Sequence, residues 1–196
     1  MFRRSDKLEP GTIAKGPSRG QGQESLQQEP PLLFDRLFEI TPAGIALTDD
    51  FSDWFADQVA HEWIELTGEA MTLLQREVEL LEIVQLVGPD ALAEAERAVL
   101  AVARMLREDF LQQSAYHEVD RFCTLEKGYW MLKAIMDFYT RTQSALEKKA
   151  SLAQITGLPV VTDIARMKEL EVKDAEKAIK TIMDRVRFSF AELGVE

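Results

Sequence analysis

The sequence predicts an all-α protein, and three observations lead to that prediction. No stretch of useful length alternates apolar and polar residues with the period of two that a half-buried strand requires. From residue 50 onward, apolar residues instead recur at three- and four-residue steps. Helix-breaking residues are concentrated at the start, since residues 1–45 contain five Pro and five Gly and residues 46–196 contain two Pro and five Gly. We therefore expect a helical bundle over residues 50–196.

The first 45 residues are predicted to be a disordered or weakly ordered leader. The stretch 16–25 is polar and low in complexity, which is typical of chains that cannot bury enough apolar surface to fold. Within the leader, only residues 32–40 have a pattern compatible with a short amphipathic helix.

The first helical pattern begins near residue 50, where either Asp50 or Ser52 can cap a helix. Its apolar positions are Trp54, Phe55, Val59 and Trp63.

Residues 69–113 predict a long helix-turn-helix arm. The first helix spans 69–87 and ends at Gly88-Pro89, and Asp90 is in a position to cap a second helix over 92–113. At 1.5 Å per residue, each helix of the arm is roughly 30 Å long. The apolar stripe predicted to be buried on the first helix consists of Leu73, Leu74, Val78, Leu81, Val84 and Leu86.

Three further helices are predicted after an irregular stretch over 114–124. They span 125–147, a brief segment from Thr162 or Asp163 to Met167, and 174–193, with a turn over 151–159. The aromatic side chains predicted to be buried in the core are Trp130, Phe138, Tyr139, Phe188 and Phe190.

Composition limits the function. The chain is 46% hydrophobic and 29% charged, with a net charge of −11, and an acidic surface disfavours broad binding to a phosphate backbone. A single cysteine, Cys123, excludes an internal disulfide framework. No apolar run reaches the ~18 residues that a membrane-spanning helix needs.

Candidate chemistry in the chain is sparse. Residues 11–18 resemble a phosphate loop, but Pro17 stands where the loop requires the lysine that reaches the phosphates. His61, His117 and Cys123 offer too few ligands for zinc, so no metal site is predicted. A nucleophilic pair of Cys123 with His117 remains a minor alternative, in which the chain is an independent enzyme.

The charged residues Arg104, Arg107, Glu108 and Asp109 lie at spacings that bring them close together on the second arm helix. We expect them to form a solvated face. Patterns alone thus indicate an acidic helical binding module rather than an enzyme.

Two runs carry more specific information, EIVQLVGPDAL at residues 82–92 and VARMLREDFLQQSAYHEVD at residues 102–120, followed by LEKGYWMLK at residues 125–133. Together they closely resemble the C-terminal domain of the catalytic A subunit (alpha chain) of archaeal-type and vacuolar-type rotary ATPases. The resemblance covers about residues 50–193, and Ser114 replaces an Asn that is usual in the family.

The resemblance implies a contact with the adenine of ATP or ADP. An aromatic in the family's AYHEVD run lines the adenine pocket, and Tyr116 is the matching residue here, with Gln112 and Gln113 bordering the pocket. In the family, the phosphates and Mg²⁺ are held by a separate nucleotide domain. The resemblance therefore implies no catalytic residues in this chain and no ATP hydrolysis by the chain alone.

The resemblance also implies a mechanical role. In the family, the turn of the arm faces the central rotor, and the matching residues are Gln85, Leu86, Val87, Gly88, Pro89 and Asp90. The implied partners are the nucleotide-binding portion of the catalytic A subunit, B-type subunits and the central rotor stalk. The implied location is cytoplasmic, peripheral to the membrane without inserting into it, with ATP hydrolysis or synthesis coupled to proton or sodium transport. A standalone helical interaction protein, acting as an assembly factor or inhibitor of such a complex, is the alternative.

Overall fold

A computed structural model describes residues 60–112 and 123–194, and all statements on structure concern these two ranges. They contain no strand, so the all-α prediction is confirmed. The α-helices are α1 (Trp63–Val87), α2 (Glu94–Met105), α3 (Leu125–Glu147), α4 (Leu152–Thr156), α5 (Pro159–Ala165) and α6 (Val172–Glu192). The predicted leader lies outside the described residues, and so does most of the first predicted helix, including Trp54, Phe55 and Val59.

The predicted arm is present as α1 and α2, joined by a short turn. Gly88 ends α1 with φ +87°, a left-handed conformation that glycine adopts without strain. Its N–H donates to the carbonyl of Val84 at 2.9 Å, and Pro89 opens a single 3₁₀ turn, Pro89–Ala91. The turn is therefore compact and conformationally restricted.

The predicted ends of the arm helices need correction. Helix α1 begins at Trp63 rather than at residue 69, and Thr67 reinforces this first turn by donating to the carbonyl of Trp63 at 2.8 Å. Asp90 lies in the 3₁₀ turn and does not cap α2. Instead α2 follows Ala93, whose backbone N–H donates to the Glu96 carboxylate at 3.0 Å.

The predicted stripe on α1 is partly wrong. Val78, Leu81 and Leu86 are exposed, whereas the buried positions step along a different line of the helix. This line is Trp63, Thr67, Ala70, Leu73, Glu77 and Leu80. Its steps of three and four residues are helical, but the line includes a glutamate, a residue that hydrophobicity alone places on the outside of the helix.

Helices α3 and α6 form the most extensive packing interface of the bundle. Phe138 and Phe190 are fully buried in it, with their rings edge to face and their centroids 5.6 Å apart. Trp130 and Tyr139 are only partly buried. The prediction that Phe188 is a core residue is wrong, since 64% of its surface is exposed.

The short elements between α3 and α6 are better ordered than the sequence predicts. Ser151 caps α4, its hydroxyl accepting from the Gln154 N–H at 3.3 Å while the Gln154 side chain accepts from the Ser151 N–H at 3.1 Å. Helix α5 begins at Pro159, not at Thr162 or Asp163, because proline fits the first helical position, where no N–H donor is needed.

Candidate functional site

The candidate adenine residues follow the end of α2. There the helix widens into a π-helical segment, Leu106–Leu111, which ends at Gln112. The Gln112 N–H donates to the carbonyl of Arg107 at 2.9 Å, a five-residue step that defines π geometry. Gln112 is exposed, and both Gln113 and Tyr116 lie outside the described residues.

A bidentate ion pair between Arg107 and Glu77 attaches the π segment to α1. The Arg107 Nη2 and Nε atoms donate to the two carboxylate oxygens of Glu77 at 2.7 Å and 3.1 Å. Glu77 is only 5% exposed, and its hydrogen bonds raise the pKa of the Arg107 guanidinium. Arg104 and Glu108 form an exposed pair at 2.9 Å, as predicted for a solvated face, and the Arg107 side chain is also 50% exposed, but its partner Glu77 lies on α1 rather than one turn away.

A second attachment comes from the 3₁₀ turn Met167–Glu169. The Lys168 ammonium donates to the backbone carbonyl of Glu108 at 2.9 Å. The turn is itself held by Lys127, a buried residue of α3 whose ammonium donates to the carbonyls of Lys168 and Leu170 at 2.7 Å and 2.8 Å. The π segment is therefore held from both sides.

Asp109 is half-buried in the π segment, and burial raises the pKa of its carboxyl group. The nearby Lys168 opposes this rise, and the like charge of Glu108 adds to it. A carboxyl group with a raised pKa in the folded state favours folding while it is protonated. Its contribution is lost as the pH rises through the folded-state pKa.

Asp109→Asn is accordingly expected to stabilise the chain at pH 7, by less than about 1 kcal/mol because solvent still screens the site. The gain should disappear below about pH 3.8, the ordinary Asp value, where the wild-type carboxyl is protonated in both states. Urea titrations at pH 7 and pH 3.5 measure this difference. Asp184→Asn, at an exposed position of α6, is the control, and a lower stability of Asp109→Asn at pH 7 would contradict the expectation.

The far end of the arm is an exposed apolar surface. Leu86 is 84% exposed and Val87 65%, and Ile83, one turn earlier on the same side of α1, is also exposed. We call these three residues the tip patch. Single exposed apolar residues are ordinary, but a group within the last turn and a half of a helical arm indicates a contact surface.

The structure adds no support for a nucleophilic pair of Cys123 with His117. Cys123 is buried, with its Sγ 3.7 Å from the carbonyl of Thr124, and His117 lies outside the described residues. Within the described ranges, no three His, Cys, Asp or Glu side chains are grouped so that they could hold a metal ion. In those same ranges, no helix has the length and apolar character needed to cross a bilayer.

Sequence reasoning missed Glu77, Lys127 and Lys168. Each interaction joins residues at least 30 positions apart, so no local pattern reveals it. The only available signal was a glutamate in phase with the buried line of α1.

The described residues define a class of protein: an all-helical domain with a long arm, an exposed apolar tip and a π segment held by charged side chains. Comparison with known proteins is more specific. Residues 52–156 match the family described as the C-terminal domain of V and A type ATP synthase. The chain belongs to this family.

Curated relatives agree with this assignment. The chain is 50% identical over 145 residues to the A subunit of the A-type ATP synthase from Methanopyrus kandleri, which is 74% of this chain and 24% of that protein. It is 57% identical over 122 residues to the corresponding A subunit from Methanococcus maripaludis, covering 62% of this chain and 21% of the relative. The chain thus spans about a quarter of the length of these relatives.

Proposed function

We propose that this chain acts as the C-terminal domain of the catalytic A subunit in an A/V-type rotary ATPase, and that its arm couples nucleotide turnover to the central rotor. The observation that carries this proposal is the exposed tip patch at the end of a helical pair. The proposed coupling links ATP hydrolysis or synthesis to transport of protons or sodium ions.

The tip patch favours a partner because its exposure to water is unfavourable. Fully burying one Leu or Val side chain contributes about 1.5–3 kcal/mol. The acidic side chains of Glu82 and Asp90 are exposed and lie within four residues of the patch in the sequence. A partner surface with an apolar centre and basic surroundings would complement it, and we assign that surface to the rotor stalk.

The arm is suited to transmitting a push. Leu73 and Leu80 are buried along α1, and close packing against α2 and α3 resists deformation. The restricted turn at Gly88-Pro89 keeps the tip in a defined position relative to both helices.

The adenine contact is proposed for the segment that follows the π helix. Tyr116 would stack on the purine ring of ATP or ADP, with Gln112 and Gln113 beside it. The phosphates and Mg²⁺ would be bound by the nucleotide-binding portion of the catalytic A subunit, next to a B-type subunit. The chain would therefore lie on the cytoplasmic side, peripheral to the membrane, without contacting nucleic acid.

The double substitution Leu86→Asp, Val87→Asp tests the tip patch. In the assembled ATPase head, we expect it to weaken binding of the rotor stalk about tenfold or more, because two apolar contacts are replaced by charges that must be desolvated. Binding is measured by titrating labelled rotor stalk against purified head. The fold should survive, since both side chains are exposed.

Phe188→Asp is the matched control, because it also replaces an exposed apolar side chain by a charge, but on α6. Equal rotor affinity in the tip variant, the control and the wild type would refute the proposed role of the tip.

A standalone interaction protein remains the second candidate. The same tip patch supports it, since an assembly factor or inhibitor would also present an apolar surface to one component of the complex. The two candidates differ in whether the chain is a permanent part of the head.

A further inference from the structure

We propose that Glu77 and Arg107 are positioning residues that couple the arm to the π segment, so that the nucleotide side and the rotor side of the domain influence each other through this one ion pair. The inference rests on the proposed function, because it names the contact through which that function passes.

The pair is placed between the two ends of the domain. Glu77 lies on the buried line of α1, and about 15 Å of helix separates it from Val87 in the tip patch. Arg107 lies at the start of the π segment, whose end leads into the candidate adenine residues. Among the side-chain hydrogen bonds of the described residues, those of this pair join α1 to the π segment.

The geometry makes the contact selective for one arrangement. Both carboxylate oxygens of Glu77 are engaged, and a planar guanidinium can satisfy them only in a narrow range of orientations. Because Glu77 is almost fully buried, a shift that separates the two groups removes both hydrogen bonds from a carboxylate with little access to water, whereas the half-exposed Arg107 side chain can be solvated. A displacement of α1 must therefore either carry Arg107 with it or break both hydrogen bonds.

The π segment can convert such a displacement into a change of register. A π turn contains about one residue more than an α turn, so reversion to α geometry would turn the residues that follow by roughly 100° about the helix axis. Glu77 holds Arg107, and Lys168 holds the carbonyl of Glu108, the next residue. The side chains from α1 and from the 3₁₀ turn thus keep the segment in its present register.

The experiment measures linkage in the assembled head, where the dissociation constant of a non-hydrolysable ATP analogue is determined with and without the rotor stalk bound. The ratio of the two constants is the coupling between the sites, and it must be the same whichever ligand is varied. We expect the two constants of the wild type to differ by about fivefold or more. In Arg107→Gln and in Glu77→Gln, the ratio should lie closer to unity. The neutral double variant Glu77→Gln, Arg107→Gln should lose no more coupling than either single variant, because the three remove the same contact.

Arg76→Gln is the matched control, since Arg76 pairs with Glu79 and Glu96 on the exposed side of the same arm. It should leave the ratio unchanged. Arg107→Lys keeps the charge but cannot reproduce the two-pronged contact, so it should reduce the ratio even if a neutral variant assembles poorly.

Two failures are distinguishable. If the wild-type ratio departs from unity and the Arg107 and Glu77 variants match Arg76→Gln, the ion pair has no coupling role and the inference is wrong, while the proposed function stands. If the wild-type ratio is itself unity, the proposed coupling function fails and the inference fails with it.

Discussion

Phe138→Ala is expected to lower the free energy of unfolding by about 3–5 kcal/mol, a large part of the stability of a domain of this size. The ring is buried at the main interface of the bundle and packs edge to face on Phe190. Its removal loses both the transfer free energy of the ring and the packing around the resulting cavity. Urea unfolding followed by circular dichroism measures the change.

Phe188→Ala provides a control of identical chemistry on the opposite helix of the same interface. Its side chain is exposed, so the unfolding free energy should change by no more than about 0.5 kcal/mol. Similar losses in both variants would mean that the packing of α6 against α3 is not as described.

Tyr116→Ala is expected to weaken adenine nucleotide binding by the assembled head about 5- to 150-fold. The reason is the loss of base–aromatic stacking, which contributes about 1–3 kcal/mol. Tyr116→Phe retains the ring and should bind nearly as well as the wild type. Titration with a fluorescent ATP analogue measures both affinities.

Two other outcomes would contradict the proposed stacking role of Tyr116. If Tyr116→Phe binds as poorly as Tyr116→Ala, the hydroxyl group rather than the ring makes the contact. If both bind like the wild type, Tyr116 does not border the adenine.

The sequence predicts the arm well because its signals are local. The helical period of α1 and α2 and the Gly88-Pro89 break are readable without knowledge of neighbours, and the structure confirms both. The helix start at Pro159 is equally local, but the side chains of Thr162 and Asp163 also indicate a helix start, and that prediction is wrong.

Which side of each helix is buried is harder to predict from the sequence, because it depends on tertiary packing. Phe188 and Phe190 have the same chemistry and lie two residues apart on α6, yet only Phe190 faces α3. Glu77 and Lys127 are buried although their side chains are charged, because hydrogen-bond partners far along the chain satisfy those charges. Tyr116 was identified through the family resemblance alone, and its role stays a prediction.

Co-migration with a B-type subunit tests most directly whether the chain works as part of an ATPase head. Cell extracts are separated on a native gel and probed with an antibody to residues 170–196, together with one to a B-type subunit. We expect both antibodies to detect the same high-mass band. An epitope that migrates entirely apart from the B-type subunit would contradict this role and favour the standalone interaction protein.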